Sequence, residues 1–190
     1  ILLKNAVLCS DASIKTEGNG FAITGDPTEV ALVVAAAKAG IVADDLRRTY
    51  PRKDVIPFDS ELQYMATLNQ CPDTQIIIKG APEVILKRCS THLGGHHLNT
   101  ADIVEQIERL GAKGMRVLAI AQKGRDNAAN LELTDKDVQD GFEFIGLIGM
   151  IDPPRAEAIE AIRACHDAGI VVKMITGDHR ATARSIGMDL

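Results

Sequence analysis

The sequence predicts an α/β fold, and three observations carry that prediction. Gln75-Ile76-Ile77-Ile78 is a short β-branched run that passes through Lys79-Gly80-Ala81-Pro82-Glu83 into a helical apolar run at 84–89. Pro82 suits a first helical turn, where a missing N–H costs nothing, and Glu83 suits the positive end of a helix. Residues 64–68 alternate enough to form a strand, and Cys71-Pro72-Asp73-Thr74 has turn composition, so the two runs read as an antiparallel hairpin. At Asp152-Pro153-Pro154-Arg155 two prolines forbid further strand hydrogen bonding and mark a joint. Around it the order is strand (142–151), helix (156–168), strand (170–175), loop (Thr176-Gly177-Asp178) and helix (180–186), a parallel α/β unit.

The remaining elements follow in order. Residues 2–9 fit a short amphipathic helix, residues 11–20 a polar loop, and Phe21-Ala22-Ile23 a brief strand. Gly25-Asp26-Pro27-Thr28-Glu29 opens a helix that Gly40 stops: Asp26 fits the N-cap, Pro27 the first position and Glu29 the third, the pattern of a capping box. Residues 46–57 carry Arg47, Arg48, Arg52 and Lys53 and read as a solvated face. Cys89, His92, His96 and His97 have a spacing that suggests zinc, but no second cysteine-rich half accompanies them and Gly94-Gly95 read as a floppy loop. Ile103, Ile107 and Leu110 share one face of a helix that Thr100 can cap and Gly111 and Gly114 close. Residues 115–121 form a strand, and 125–140 form a loop with room for one helical turn, anchored by Leu131, Leu133 and Val138.

Composition bounds the function. With 190 residues the chain can bury a sizeable core, and its 46% hydrophobic and 25% charged content is that of a globular protein. A net charge of -5 argues against nucleic acid as a partner, since a polyanion calls for a basic footprint. No apolar run approaches the ~20 residues of a membrane span, and no signal peptide opens the chain. Ile1 is not a natural start, so the sequence reads as a fragment. Four scattered cysteines read as free cytosolic thiols rather than a disulfide framework.

Gly25-Asp26-Pro27-Thr28-Glu29, Pro57-Phe58-Asp59-Ser60, Lys79-Gly80-Ala81-Pro82-Glu83, Gly114-Met115-Arg116-Val117-Leu118, Asp152-Pro153-Pro154-Arg155 and Thr176-Gly177-Asp178 occur in that order. Each is weak alone. Together they make the chain resemble the cytoplasmic nucleotide-binding domain of a P-type cation-transporting ATPase of the calcium-pump-like type II branch, running on into the phosphorylation domain. The resemblance implies a nucleotide-binding domain at 1–151, a mostly antiparallel sheet with flanking helices, and a partial haloacid dehalogenase-like phosphorylation domain at 152–190.

It also implies site roles. Phe58 matches the residue that stacks on adenine, although from composition alone it reads as a core residue. Lys79 matches the pocket lysine, followed by Gly80, a glycine that lets a ligand approach the backbone. Glu29 matches the acid near the adenine amino group, and Arg116 the phosphate-contacting arginine, a role suited to a guanidinium fork. Met65 reads equally as pocket wall and as plain core. Thr176, Gly177 and Asp178 match a phosphorylation-domain loop whose threonine donates to the phosphoryl group, in a supporting role. Many relatives carry a second pocket lysine where this chain has Gln63, which predicts a weaker nucleotide site.

The implied ligands are ATP and ADP, with magnesium in the intact enzyme, and no metal ligands of the chain's own. The implied partners are the remaining phosphorylation, actuator and membrane domains of the same polypeptide, on the cytoplasmic side of a membrane. The Asp-Lys-Thr-Gly-Thr segment with the phosphorylated aspartate does not occur in these residues. Two alternatives keep the fold and change the role: a non-catalytic nucleotide-binding or interaction domain, and a haloacid dehalogenase-like phosphatase. The second needs an upstream Asp-x-Asp or Asp-Lys-Thr-Gly segment that is not found before Thr176.

Overall fold

A computed structural model describes residues 1–17, 20–71, 73–125, 131–151, 154–175 and 180–190. Its contacts form two compact units, 1–99 with 118–148, and 100–117 with 149–190. Asp152 and Pro153, which open the joint expected from the sequence, lie outside the described residues.

The first unit is built on a sheet. Strands β3 (Arg52–Asp59), β4 (Tyr64–Cys71), β5 (Asp73–Gly80), β6 (Cys89–His92), β7 (Arg116–Gly124) and β8 (Phe142–Met150) lie in the order β3-β4-β5-β7-β8-β6, and β7 and β8 each have one end in the second unit. The pairs β3–β4, β4–β5 and β5–β7 are antiparallel, and the β6–β8 pair at one edge is parallel. This is the mixed α/β, mostly antiparallel arrangement that the sequence implies. Pro57 lies on β3, an edge strand, where a missing N–H breaks no ladder, and the β3–β4 register shifts between Ile56 and Asp59. In β5, Ile76, Ile77 and Ile78 are all buried, so both faces of this central strand are covered and the run is continuously apolar rather than alternating.

Helices α1 (Leu2–Leu8), α2 (Pro27–Lys38), α3 (Ala43–Thr49) and α4 (Pro82–Leu86) complete this unit. The Asp26 carboxylate caps α2 by accepting from the Thr28 N–H at 2.8 Å, with Pro27 in the first position, as the sequence predicts. Buried Leu32, Val33 and Ala36 give α2 its inner stripe, and α1 buries Asn5, Ala6, Val7 and Leu8.

Several expectations are corrected. Within the expected loop at 11–20, Ser13–Glu17 forms β1, paired antiparallel with β2 (Gly20–Thr24), Ile14 opposite Ile23. The polar sequence hides a strand because its hydrogen bonds come from a partner, not from its own composition. Residues 89–97 are not a floppy loop: β6 draws on β8, and His92 bridges His96 across Gly94-Gly95. The arginine-rich stretch is a solvated face only in part: Arg48 and Lys53 are exposed, but Arg47 and Arg52 are half-buried donors to backbone carbonyls.

The second unit contains α5 (Thr100–Gly111), α6 (Ala156–Asp167) and α7 (Arg180–Asp189). Thr100 is the first residue of α5 rather than its cap. Residues 170–175 are not the buried strand expected: they have no regular structure, with Val171 79% and Ile175 97% exposed. A strand takes its hydrogen bonds from a neighbour, and among the described residues none pairs with this one. Also among the described residues, no helix is long and apolar enough to cross a membrane.

Candidate functional site

Lys79 is the penultimate residue of β5 and is only 5% exposed. Its ammonium is in direct contact with Oε1 of Glu29, the third residue of α2. A buried lysine persists only where a carboxylate offsets its lost hydration. The other carboxylate oxygen, Oε2, accepts from the backbone N–H groups of Asp11 at 2.7 Å and Ala12 at 3.2 Å. The Glu29 carboxylate therefore serves the segment after α1 and the end of β5, not the capping box expected of it.

Strand register gathers the other candidates. Asp59 lies opposite Tyr64, Tyr64 opposite Gly80, and Met65 opposite Lys79. Phe58 thus stands beside the end of a row that runs through β4 to Lys79 on β5, two strand spacings or about 10 Å away. Phe58 is 62% exposed, which corrects its reading as core and leaves a flat aromatic face open. Met65 is 1% exposed and packs as core. A Cβ on Gly80 would stand 2.3 Å from the Gln63 carbonyl and 2.8 Å from Tyr64 Cα, so the backbone that this glycine admits is the chain's own. Gln63 sits at φ 59° in the β3–β4 connection, where the Asp59 carboxylate accepts from the N–H groups of Glu61 and Leu62. A side chain there points out from a tight turn and is exposed.

The family model for the P-type ATPase cytoplasmic domain N matches residues 1–157. The chain belongs to this family. It is 45% identical over 188 residues to the cation-transporting ATPase pma1 of Synechocystis, covering 97% of this chain and 21% of that protein. It is 41% identical over 196 residues to the sodium/potassium exporting P-type ATPase cta3 of Schizosaccharomyces pombe, covering 100% of this chain and 19% of that protein. It is 41% identical over 198 residues to calcium-transporting ATPase 1 of Lactococcus lactis, covering 100% of this chain and 22% of that protein. The chain thus spans about a fifth of the length of these relatives.

Four more residues resemble the P-type ATPase pattern, Arg116, Thr176, Gly177 and Asp178. Arg116 is exposed at the first residue of β7 and belongs to the second unit. Thr176, Gly177 and Asp178 lie outside the described residues. Among the described residues no group of three His, Cys, Asp or Glu side chains converges on one position.

Sequence reasoning missed the support behind Glu29. Nη2 of Arg47 donates to the carbonyls of Ser10 at 3.0 Å and Ala12 at 2.8 Å, and Nη2 of Arg52 to those of Leu8 at 3.0 Å and Ser10 at 2.8 Å. Nη1 of Arg52 contacts the Asp11 carboxylate. Burial, followed by the like charge of Arg52, pushes the Arg47 guanidinium below its ordinary value. Cys9 is fully buried and aims its thiol at the Met65 carbonyl at 3.5 Å, and burial pushes this thiol up. Only the arginines leave a trace in the sequence, and it is the trace of a charged surface.

Proposed function

We propose that these residues form the ATP-binding part of a cation-pumping P-type ATPase, which presents the γ-phosphoryl group to an aspartate on a segment that residues 1–190 do not contain. The observation that carries the reading is the exposed Phe58 ring at the same sheet end as the Lys79–Glu29 pair. An open ring offers a base the stacking face that is worth about 1–3 kcal/mol. Glu29 has acceptor capacity for an adenine amino group beyond its present three partners, since a carboxylate has about four lone-pair sites. Lys79 supplies positive charge shared with Glu29, and Arg116 a guanidinium fork for phosphate.

In the intact protein the transfer makes a covalent acyl phosphate, dividing hydrolysis into two steps that can be coupled to ion movement. Magnesium supplies charge neutralisation on the phosphates. On this reading Thr176, Gly177 and Asp178 support the phosphoryl group, and the actuator, membrane and remaining phosphorylation domains are partners within one polypeptide. The chain then works on the cytoplasmic face of a membrane.

The test is an NMR titration of the 190-residue chain with ATP, ADP and GTP. The expected result is weak binding of ATP and ADP, weaker binding of GTP, and shifts in residues around Phe58 and Lys79. No binding at millimolar ATP, or a clear preference for GTP, overturns the proposal.

A further inference from the structure

The turn at 9–12 is held from three sides. Cys9 ties it to the sheet through the Met65 carbonyl. Gly25 ties it to the start of α2: a Cβ there would stand 2.7 Å from Ala12 Cα, so only glycine allows this approach, and its φ of 119° is one that side-chain-bearing residues rarely adopt. Arg47 and Arg52 tie it to α3 and β3. Both guanidinium groups donate to the Ser10 carbonyl, and Arg52 also satisfies the Leu8 carbonyl at the end of α1, where the last helical acceptors have no partner of their own.

The consequence falls on Ala12. Its N–H donates to Glu29 Oε2 and its carbonyl accepts from Arg47. One peptide segment thus connects Arg47 to the carboxylate that holds Lys79. Two cations packed side by side repel each other, and the carboxylates of Asp11, Asp44 and Glu29 nearby offset that repulsion.

We propose that Arg47 and Arg52 are positioning residues: through the turn at 9–12 they orient the Glu29 carboxylate and so hold the Lys79 ammonium in place for nucleotide. The link to nucleotide rests on the function proposed above. The link to Lys79 does not.

Two readouts separate them. The first is the rate of reductive methylation of Lys79, followed by mass spectrometry on the 190-residue chain. A sealed, ion-paired lysine reacts slowly, and Arg47→Gln should speed its modification by about 5- to 30-fold, the factor that one or two kcal/mol makes in an equilibrium. The exposed neighbour Arg48, which pairs with Asp45 across one helical turn, is the control: Arg48→Gln should leave the rate unchanged. The second readout is the dissociation constant for ATP. Arg47→Gln should raise it, and in a Glu29→Gln background the same change should add less than about twofold, because residues acting through one contact are not additive.

If Arg47→Gln does not fold by circular dichroism, Arg47→Lys and Arg52→Lys take its place, since lysine keeps the charge but not the fork. A folded variant in which Lys79 is methylated at the wild-type rate overturns the proposal. Faster methylation in a chain that never binds ATP supports the positioning of Lys79 and defeats the nucleotide reading instead.

Discussion

Phe58 and Lys79 show how burial separates two residues of the proposed site. The Phe58 ring is open, so its removal should cost ligand and not fold. Phe58→Ala is expected to weaken ATP by about 1–3 kcal/mol, roughly 5- to 150-fold, with the thermal midpoint unchanged. Calorimetric titration and a melting curve check the two halves, and a mutant that unfolds would show the ring to be core. Lys79 is the opposite case. Lys79→Ala should destabilise the chain by about 3–5 kcal/mol in urea denaturation, because it leaves the Glu29 carboxylate without its cation in a nearly sealed position. A loss under about 1 kcal/mol would mean that water reaches Glu29 and that the pair behaves as a surface one.

At the scale of elements, the β3–β4 turn and the end of β5 form one device. The Ala81 N–H donates to the Gln63 carbonyl at 3.0 Å, and Gly80 lets the two backbones touch. Gly80→Ala should therefore destabilise by about 1–3 kcal/mol through overpacking against backbone that cannot move aside. Equilibrium denaturation is the check, and the ATP affinity of the folded fraction should fall with it. Gln63 stands on the same turn with its side chain exposed. If it faces the phosphates, Gln63→Lys should tighten ATP more than adenosine, and the gain should shrink as salt screens the added charge. Equal effects on both ligands would turn the position away from the phosphates.

For the whole molecule, the 190 residues should bind nucleotide without turning it over. They contain no Asp-Lys-Thr-Gly-Thr segment to accept the phosphoryl group. Incubation with γ-labelled ATP and magnesium, followed by an acid quench, should leave no hydroxylamine-sensitive label on the chain. Stability should also fall in alkali. Burial pushes the Cys89 thiol up to about 12 and raises Cys9 as well. The unfolded chain surrenders these protons near pH 9 while the folded chain keeps them. The thiol contribution is thus complete below about pH 8.5 and declines as pH rises toward 12. Cys89→Ala should flatten the slope of unfolding free energy against pH over that window.

What the sequence determined by itself was local. Asp26 and Pro27 announce the start of α2 because capping and a fixed φ act within one helical turn. The isoleucines of β5 announce a buried strand and its antiparallel pairing with β4, because strand preferences reside in a few adjacent residues; the turn expected at 71–74 does not hold, since Cys71 pairs with Asp73 and Gln70 with Thr74, and Pro72 lies outside the described residues. Six short motifs in order were enough for the family. The tertiary structure alone decided which distant charges meet. A glutamate at the third position of a helix can serve its own cap or a neighbour, and nothing within α2 says which. The fold turns Glu29 to Lys79, fifty positions away, and to the backbone of Asp11 and Ala12. Likewise Arg47 and Arg52 look like solvated charges until α1 ends beside them with open carbonyls. β1 looks like a loop until β2 supplies its hydrogen bonds. Composition sets what a residue can bond to, but strand register and packing set what stands within 3 Å of it.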